Sequence, residues 1–493
     1  MGIRAIFASD MCCSLEKEKA SRQNRKRIDL PRKTSSASRL RLMYLAFLLP
    51  FVLAYVSWQY FPQFAIWLIQ VVFMYRTEGQ AQPVWYLTVR FFYTWYTFSA
   101  IGLAGAWPIA AALARKTKRK TERLFYPMVS FIVPAYNEEK NIPRCIASIF
   151  ECAGRYDGLC EVTVVDDGST DNTYEIASSA ISMNTRKHPH VRGRVVRHSA
   201  NVGKAQAVET GLTKSLGHLI AVVDADSWWR PNTLVALADH MIMNGRKAVT
   251  GYVHPSDGDG DTNLYILLQQ LEYSQGLGTQ RCAQSLGDNV LVVSGAIGLY
   301  DAQALRDLLA RRSIRSVTED LEITLELHAQ DYKVGYVSAA SSSSVAPSTL
   351  RMLWNQRQRW FTGWLHNNFK IHRDLLLKRS WTTFLMWYCL FFEYVGAFID
   401  IGALLAFPFL FWFAPDRLLF AASLLVFVPY SFLVGVINQA VALKFAYGKA
   451  TYRSLLLYTP YYPLLRLINI FARLSSSFRY LFGDNGRWQH PAS

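Results

Sequence analysis

Two carboxylates stand one residue apart in this chain, Asp224 and Asp226, directly after the apolar run Leu219–Val223. The run is short and rich in β-branched residues, which predicts a buried parallel strand. Ligands of open α/β sheets bind at the carboxyl ends of strands, and carboxylate oxygens hold divalent cations. The spacing therefore predicts a metal site for a phosphorylated substrate. The competing interpretation is a solvated turn that starts a helix at Pro231.

Two earlier strands are also predicted to end in polar residues. Tyr136 and Glu138 follow the first strand and are suited to stacking on a nucleobase and hydrogen bonding with it. Asp166 and Asp167 follow the second strand, where Gly168 permits a tight turn and the acids suit a ribose or a base. An ordinary helix start and an N-capped turn are the structural alternatives.

Lys204 opens a predicted helix directly after Gly203, so its ammonium group and the first backbone N–H groups would lie near phosphates. A surface lysine at a helix start is the alternative. Each of these polar groups lies just past a strand or at a helix start, which places all of them at one edge of the sheet. That shared placement favours one binding site over four unrelated turns.

Two later segments carry groups suited to sugar transfer. Asp320, at the start of a predicted helix, could take the proton of an acceptor hydroxyl, whose pKa lies far above neutral pH, as that hydroxyl attacks an anomeric carbon. Gln356 and Arg359 could hold a departing diphosphate, and Trp360 could stack on the flat face of a sugar. The alternatives are a carboxylate that complements a helix dipole and an Arg–Trp anchor at a membrane interface.

The composition indicates a protein that is part membrane and part globular. Of the 493 residues, 51% are hydrophobic, and the mean hydropathy is +0.09, too apolar for an ordinary soluble enzyme. The net charge of +17 is concentrated beside apolar segments, with ten Lys or Arg between Lys17 and Arg41 and six between Arg115 and Arg123. This is the positive-inside pattern, so no nucleic-acid partner is expected. The seven cysteines have no C-x-x-C spacing, which argues against a zinc site and a disulfide framework.

The chain is predicted to have membrane-spanning segments on both sides of one globular domain. The predicted domains are a basic cytoplasmic tail (1–41), an N-terminal transmembrane region (42–114), a globular domain (127–345), amphipathic interfacial helices (346–380), a C-terminal transmembrane region (381–475) and a short tail (476–493). The apolar segments are spans at Leu42–Phe61, Val84–Leu113, Trp381–Phe413, Leu418–Leu443 and the proline-containing Ser454–Leu474, and a short outer-interface piece, Phe64–Tyr75. Four ionisable residues within the C-terminal spans would face a cavity or each other, or else snorkel to an interface: Glu393, Asp400, Arg466 and Arg473.

Within the globular domain, short apolar runs alternate with helical patterns. This alternation predicts an α/β fold with a mostly parallel sheet that helices cover on both faces. The predicted strands are Val129–Pro134, Val162–Asp166, Arg194–Arg197, Leu219–Val223 and Leu291–Tyr300, and Ser341–Ser344 is predicted to be a loop.

The chain resembles the processive membrane glycosyltransferases of family 2, a group that holds cellulose, chitin, hyaluronan and poly-β-1,6-N-acetylglucosamine synthases. The likeness runs from about Ser130 to Trp364 and extends to the flanking spans. The motifs that carry it, in the family's order, are V-P-A-Y-N-E-E, D-D-G-S-T, N-V-G-K-A, D-A-D, T-E-D and Q-R-Q-R-W. The resemblance implies a Rossmann-like GT-A catalytic domain in the cytosol, inserted between transmembrane helices.

The resemblance also implies a role for each matching residue. The side chains that would hold the uridine diphosphate are Tyr136, Glu138, Asp166, Asp167, Lys204 and Asp224. Asp226, with Asp224, would bind Mg²⁺ or Mn²⁺, and Asp320, with Glu319 beside it, would act as the base of an inverting transfer. The diphosphate pocket and the acceptor site would be shaped by Gln356, Arg359 and Trp360.

Among these synthases the resemblance is greatest to the poly-N-acetylglucosamine type, which shares Thr318 of T-E-D. The implied activity is processive transfer from a UDP-sugar, with UDP-N-acetylglucosamine favoured and UDP-glucose next, by a multi-pass protein of the plasma (inner) membrane that exports its product. The implied partners are the UDP-sugar donor, a growing polysaccharide acceptor and the lipid bilayer, with room for a small regulatory or export protein. The alternatives are a non-processive enzyme that adds one sugar to a lipid, and a non-catalytic sugar transporter or nucleotide sensor.

Overall fold

The computed structural model describes residues 105–115, 126–258, 262–314, 316–412, 417–447 and 449–483. After a helix at 105–115 (α1), the first elements are β1 Val129–Ala135, α2 Ile142–Gly154, β2 Cys160–Asp166, α3 Thr173–Lys187, β3 Val191–Arg197, α4 Lys204–Lys214, β4 Leu219–Val222, β5 Ser227–Trp229 and α5 Thr233–Asn244. The next are β6 Ala248–Ser256, α6 Leu264–Tyr273, β7 Gly298–Asp301, α7 Ala302–Arg311, α8 Glu319–Ala329 and β8 Val334–Val345. Helix α6 continues without a break into a π-helical segment, Ser274–Gln280, and one more helical turn, Arg281–Gln284.

The strands form one eight-stranded sheet in the order β3-β2-β1-β4-β7-β6-β8-β5. Strands β3, β2, β1 and β4 are parallel to one another, as predicted. Beyond β4 the sheet is mixed, because β7 is antiparallel to both β4 and β6 and β5 is antiparallel to β8, whereas β6 and β8 are parallel. The register explains the reversal: Gly298, the first residue of β7, lies opposite Val222, the last residue of β4. A strand that starts where its neighbour ends must run the other way.

Four of the predicted strands are confirmed within three residues, and two other predictions are wrong. The predicted strand Leu291–Tyr300 is reduced to β7, because the amides of Leu291 and Val293 donate to side chains of Gln284 and Thr324 instead of to a neighbouring strand. Ser341–Ser344 is not a loop but the last part of β8, paired on one side with β6 and on the other with β5. Placement between two strands overrides the low strand preference of serine.

The core of the domain lies between the sheet and its helices. Along α2, Ile142, Ile146 and Ile149 recur at helical spacing and are fully buried with Phe131 of β1. Burial of one such side chain stabilises the fold by about 1.5–3 kcal/mol. The rigid sheet that results positions the polar residues at the ends of β1, β2 and β4.

The C-terminal part is helical. Its elements are α9 Leu350–His366, a π-helical segment Asn367–Ile371, a 3₁₀ turn Arg373–Leu377, α10 Trp381–Tyr388, a second π-helical segment Cys389–Val395, α11 Gly396–Trp412, α12 Arg417–Ala446, α13 Lys449–Leu456, a 3₁₀ turn Thr459–Tyr461 and α14 Tyr462–Leu481. Within the described residues one stretch, Trp381–Gly402, is long and apolar enough to cross a membrane, with 22 residues and a mean hydropathy of 1.5. Phe432–Ala446 is a shorter apolar helix.

The predicted membrane topology stays a prediction. The segment predicted as the span Ser454–Leu474 is not one helix, because a 3₁₀ turn separates α13 from α14. The predicted tail 1–41, the span Leu42–Phe61 and the short piece Phe64–Tyr75 lie outside the described residues, as does Val84–Leu113 except for its last part.

Candidate active site

The two carboxylates that follow β4 are held in a turn between β4 and β5. The amide of Asp224 donates to the carbonyl oxygen of Gly295 at 3.1 Å, and the amide of Ser227 donates to the carbonyl oxygen of Asp224 at 3.0 Å. Asp226 Oδ1 accepts hydrogen bonds from the hydroxyls of Ser227, at 3.0 Å, and Ser344, at 3.4 Å. Because β5 intervenes, this turn does not start the next helix, which begins at Thr233.

Lys204, the first residue of α4, forms two ion pairs. Its Nζ lies 2.6 Å from Asp224 Oδ1 and 2.5 Å from Glu319 Oε1. Burial by itself would lower the pKa of Lys204, but the adjacent charges, with Asp224 first and Glu319 next, raise it well above its ordinary value. The ammonium group therefore stays charged and joins the turn after β4 to the start of α8.

Asp320 stands beside Glu319 in the first turn of α8. Burial, followed by the charge of Glu319, raises the pKa of Asp320 to about 6, and the charge of Lys204 opposes that rise. Its Oδ1 accepts a hydrogen bond from the amide of Leu321 at 2.8 Å. The structure thus gives α8 a half-buried carboxylate that is a stronger base than a free aspartate and is mostly ionised at neutral pH.

Asp226 and Glu138, which follow β4 and β1, both have raised pKa values. Burial, and then the charge of Asp224, raises the pKa of Asp226 to about 6. Burial also raises the pKa of Glu138 to about 7; its hydrogen bond from Asn141 opposes this, and the charges of Asp226 and Asp224 add to it. Carboxylates crowded in this way are stabilised by a cation.

Asp166, the last residue of β2, and Asp167, which follows it, both bind neighbouring groups of the fold. Asp166 Oδ1 accepts a hydrogen bond from the amide of Ser169 at 3.1 Å, and Oδ2 lies 3.1 Å from Nε of Arg197. Asp167 accepts hydrogen bonds from the amides of Val202, at 3.1 Å, and Gly203, at 2.7 Å. Asp167 therefore ties the end of β2 to the loop that precedes Lys204.

A third bond to Asp167 comes from a residue that sequence reasoning did not identify. Nδ1 of His198 lies 2.8 Å from Asp167 Oδ1, and its Nε2 lies 3.0 Å from Thr210 Oγ1 on α4. The loop before α4 ends at Gly203, whose φ of +102° suits glycine and aims Lys204 at the site.

The segment after β1 is attached to the segment after β2. The amide of Glu138 donates to Thr173 Oγ1 at 2.8 Å, and the amide of Asn137 donates to Ser169 Oγ at 3.0 Å. Asn137 holds a φ of +54°, a left-handed conformation that asparagine tolerates. Tyr136, just before this turn, is half-buried at the edge where the strands end.

On α9, the predicted diphosphate and acceptor residues differ in exposure. Arg359 is exposed, whereas Gln356 is half-buried, and its Oε1 is a buried atom without a hydrogen-bond partner among the described residues. The Trp360 ring lies 6.4 Å from the ring of Tyr273, centroid to centroid, and the guanidinium carbon of Arg357 lies 4.5 Å from its centroid. Trp360 thus packs against the end of α6 and does not stand alone as an interface anchor.

Tyr273 connects the α9 residues to the carboxylates. Burial raises the pKa of Tyr273 to about 12; Arg357, Glu272, Arg281 and Asp226 have smaller effects. Glu272 beside it accepts from Arg357 Nη2 at 2.5 Å. Tyr273 thus packs against Trp360, and the charge of Asp226 adds slightly to the rise in its pKa.

The start of α8 is anchored by a residue that the sequence did not single out. Asn367 is fully buried, and its Nδ2 lies within hydrogen-bonding distance of three acceptors: Ser316 Oγ at 2.8 Å, Thr318 Oγ1 at 3.0 Å and the carbonyl oxygen of Gly363 at 3.0 Å. Gly363 has no room for a side chain, because a Cβ there would lie 2.5 Å from Thr318 Oγ1. The helix that carries Trp360 therefore sets the position of the segment that carries Asp320.

Part of the chain matches a known family, and somewhat longer parts match individual proteins. Residues 130–309 match the family described as glycosyl transferase family 2. A poly-beta-1,6-N-acetyl-D-glucosamine synthase of Staphylococcus epidermidis is 26% identical over 283 residues, which cover 56% of this chain and 63% of that protein. A beta-monoglucosyldiacylglycerol synthase of Synechocystis sp. is 26% identical over 300 residues, 57% of this chain and 59% of that protein. The matched part thus spans less than two thirds of each relative's length.

A solved structure supports the fold. The mannosyltransferase PcManGT from Pyrobaculum calidifontis, in complex with GDP-Man and Mn2+, is 18% identical and superimposes with a TM-score of 0.50 over 80% of this chain and 99% of its own. At that identity the match shows a common fold, and with the open mixed sheet it supports the GT-A-like fold class. The family match thus covers residues 130–309, about a third of the 493 residues, and this segment is similar to glycosyl transferase family 2 domains.

Proposed function

We propose that this chain is a processive, inverting β-glycosyltransferase that polymerises a sugar from a UDP-sugar and exports the polysaccharide across the membrane. The observation that carries the proposal is the double ion pair of Lys204 with Asp224 and Glu319, which brings the turn after β4 next to the carboxylate of Asp320. A donor-binding carboxylate and a proton acceptor are thereby held at one site. UDP-N-acetylglucosamine is the favoured donor, and UDP-glucose is the next.

The donor's diphosphate would lie against Asp224, Asp226 and Lys204. No group of three or more His, Cys, Asp or Glu in the described part of the chain is arranged to hold a metal ion. A pair of crowded carboxylates suits Mg²⁺ or Mn²⁺ when phosphate oxygens and water complete the shell, so Asp226 with Asp224 fits such an ion. A bound ion of this kind would neutralise the charge that develops on the leaving diphosphate.

The proton in the reaction would go to Asp320. As the acceptor hydroxyl oxygen forms its bond to the anomeric carbon, the bond from that carbon to the diphosphate oxygen breaks, and the hydroxyl proton passes to the Asp320 carboxylate. One displacement at the anomeric carbon inverts its configuration. The raised pKa of Asp320 supports this role, because a base whose pKa approaches the working pH transfers protons more effectively.

The acceptor would lie against Trp360 and Tyr273, whose ring centroids are 6.4 Å apart. Charged residues of the C-terminal helices also pair with each other: Arg473 with Glu393 at 2.8 Å and Arg466 with Asp400 at 3.0 Å. Paired ionisable groups in apolar helices are typical of polar paths through membranes. These pairs support export of the product by a multi-pass protein of the plasma (inner) membrane, with a small regulatory or export protein as a further partner.

A second candidate is a non-processive enzyme that adds one sugar to a membrane lipid. The similarity to a beta-monoglucosyldiacylglycerol synthase favours it, because that relative matches as long a part of this chain as the polymer synthase does. The apolar helix Trp381–Gly402 would serve either enzyme. The size of the product separates the two candidates.

The test uses membrane vesicles that contain the full chain. They are incubated with Mg²⁺ or Mn²⁺ and with labelled UDP-N-acetylglucosamine, UDP-glucose and UDP-glucuronic acid separately, and the products are sized and then digested with linkage-specific glycosidases. We expect UDP release and a long polymer with UDP-N-acetylglucosamine. A lipid carrying one sugar would favour the second candidate, and no UDP release from any donor would contradict both.

A further inference from the structure

Arg357 is a buried cation that lies against the indole of Trp360. The residue is only 2% exposed, and its guanidinium carbon lies over the Trp360 ring, 4.5 Å from the centroid. The two residues are three positions apart on α9, so they share one side of the helix. A guanidinium is attracted to the face of an indole, and the attraction is stronger where water is excluded. The contact therefore favours one orientation of the Trp360 ring.

The guanidinium is itself held by a carboxylate of α6. Arg357 Nη2 lies 2.5 Å from Glu272 Oε2. The other oxygen of that carboxylate, Oε1, accepts a hydrogen bond from Nδ2 of the buried Asn469 on α14 at 2.7 Å. With both of its oxygens bound, the Glu272 carboxylate has a fixed orientation, and so does the guanidinium that it pairs with. The position of the cation over the indole is thus set by α6 and α14.

The helix α9 is attached to α14 by a separate pair of contacts. Gln358, which is buried, donates from Nε2 to the carbonyl oxygen of Ala472 at 3.1 Å, and its Oε1 accepts a hydrogen bond from Ser476 Oγ at 2.9 Å. These bonds fix α9 without involving the Arg357 side chain. Loss of the guanidinium should therefore release the indole of Trp360 while the helix stays in place.

The indole has a second neighbour on α6. The ring of Tyr273, the residue after Glu272, lies 6.4 Å from the Trp360 ring between centroids, with an angle of 38° between the ring planes. The end of α6 thus acts on Trp360 directly through Tyr273 and indirectly through the pair of Glu272 with Arg357. Trp360 is still half-buried rather than enclosed, so part of its ring is open to a ligand.

We propose that Arg357 is a positioning residue for the acceptor: its cation–π contact and its ion pair with Glu272 hold the Trp360 indole in the orientation in which it stacks on the acceptor sugar. This inference rests on the proposed glycosyltransferase function. Arg357 itself touches no substrate in this role. An indole that is ordered before binding loses less side-chain freedom when the sugar arrives, which strengthens acceptor binding. Loss of the guanidinium should therefore weaken the use of acceptor and not the use of donor.

The first experiment separates these two uses. Purified full-length Arg357→Gln and Arg357→Lys are assayed with UDP-N-acetylglucosamine in two ways: UDP release without acceptor, which reports donor hydrolysis by water, and transfer to N-acetylglucosamine oligomers over a range of concentrations. We expect Arg357→Gln to raise the acceptor KM about threefold to thirtyfold, which is the fold-change that a cation–π contact corresponds to. Hydrolysis without acceptor should stay within about twofold of wild type. Arg357→Lys keeps the charge but not the planar group, and its acceptor KM should lie between the two.

A second experiment asks whether Arg357 acts through the indole. Trp360→Ala removes the ring and should raise the acceptor KM at least as much as Arg357→Gln does. Because the two side chains contact each other, the double variant should have the acceptor KM of Trp360→Ala alone. An arginine with a purely structural role would instead raise the acceptor KM by the same factor whether or not the ring is present.

Lys247→Met is the control for the loss of an ion pair elsewhere in the fold. Lys247 Nζ lies 2.8 Å from Asp301 Oδ2, and Asp301 is opposite Leu219, the first residue of β4, whereas the carboxylates of the site follow the last residue of that strand. The variant should leave both the acceptor KM and donor hydrolysis unchanged.

The remaining outcomes separate this inference from folding defects and from failure of the proposed function. If Arg357→Gln does not fold, Arg357→Lys and Glu272→Gln decide, and both should raise the acceptor KM. An unchanged acceptor KM in the folded variants, an equal loss of hydrolysis and transfer, or independent effects in the double variant overturns the role of Arg357, while UDP release by the wild type keeps the function. A wild-type enzyme that releases no UDP overturns the proposed function itself.

Discussion

Lys204 and Glu319, the first residues of helices α4 and α8, are joined by an ion pair of 2.5 Å between Nζ and Oε1. The same ammonium group lies 2.6 Å from Asp224. A lysine predicted to bind phosphate therefore also links two motifs that are far apart in the chain. Its charge has a second consequence, because it opposes the rise in the pKa of Asp320.

Replacement of Lys204 should lower turnover and change its dependence on pH. We expect Lys204→Met to lower kcat about 100-fold to 1000-fold, because a cation that stabilises the developing charge is lost. The pKa of Asp320 should rise when this positive charge is removed, so the acidic limb of the kcat profile should move to higher pH. Lys204→Arg keeps the charge and should leave the limb near its wild-type position. A Lys204→Met profile with an unshifted limb would be evidence against the coupling.

The wild-type enzyme should lose activity as the pH falls through about 6. A general base works only when ionised, and burial, followed by the charge of Glu319, raises the pKa of Asp320 to about 6. Between pH 5 and pH 7 the ionised fraction therefore increases, and we expect kcat to increase about tenfold with it. Asp320→Asn should abolish turnover while expression and membrane insertion stay normal. Wild-type turnover by purified Asp320→Asn would remove the assignment of the base.

Gly295 should not tolerate a methyl group. A Cβ at this position would lie 2.9 Å from both Asp224 Oδ1 and Lys204 Nζ, so their ion pair would have to shift. We expect Gly295→Ala to lower kcat about 100-fold, since it displaces a charged contact at the site. Gly276→Ala is the matched control, because a Cβ there meets nothing within 4 Å. Equal activity of the two variants would contradict a role for close packing at Gly295.

The residues that build this site differ in how far the sequence predicts them. The polar ends of β1, β2 and β4 follow apolar runs, so their common edge is predictable from local pattern. Gly295 and Asn367 have no such local signal, because each acts through a contact with a distant segment. The same limit applies to Ser341–Ser344, which is a strand only because β5 and β6 lie on either side of it. Local sequence preferences do not predict features that depend on tertiary contacts.

Asn367 should affect both stability and turnover. The two N–H groups of its amide are shared among three acceptors, on Ser316, Thr318 and Gly363, and these residues are buried. We expect Asn367→Ala to lower the free energy of unfolding by about 1–3 kcal/mol, because the acceptors lose their donor, and to lower kcat by misplacing Asp320. Thermal unfolding and UDP release measure the two effects. Asn355→Ala, on the exposed part of α9, should change neither.

The ion pair of Arg473 with Glu393 should tolerate an exchange of its two charges. Arg473 Nη2 lies 2.8 Å from Glu393 Oε2, and the Arg473 guanidinium also lies over the Phe361 ring at 4.5 Å. Glu393→Lys should place two cations together and lower the yield of folded protein, because like charges in an apolar setting repel strongly. The double variant Glu393→Lys with Arg473→Glu restores an opposite pair and should recover yield and polymer synthesis in vesicles. Since the two positions contact each other, the effects should be strongly non-additive. A double variant no better than Glu393→Lys would mean that the pair does not stabilise these helices.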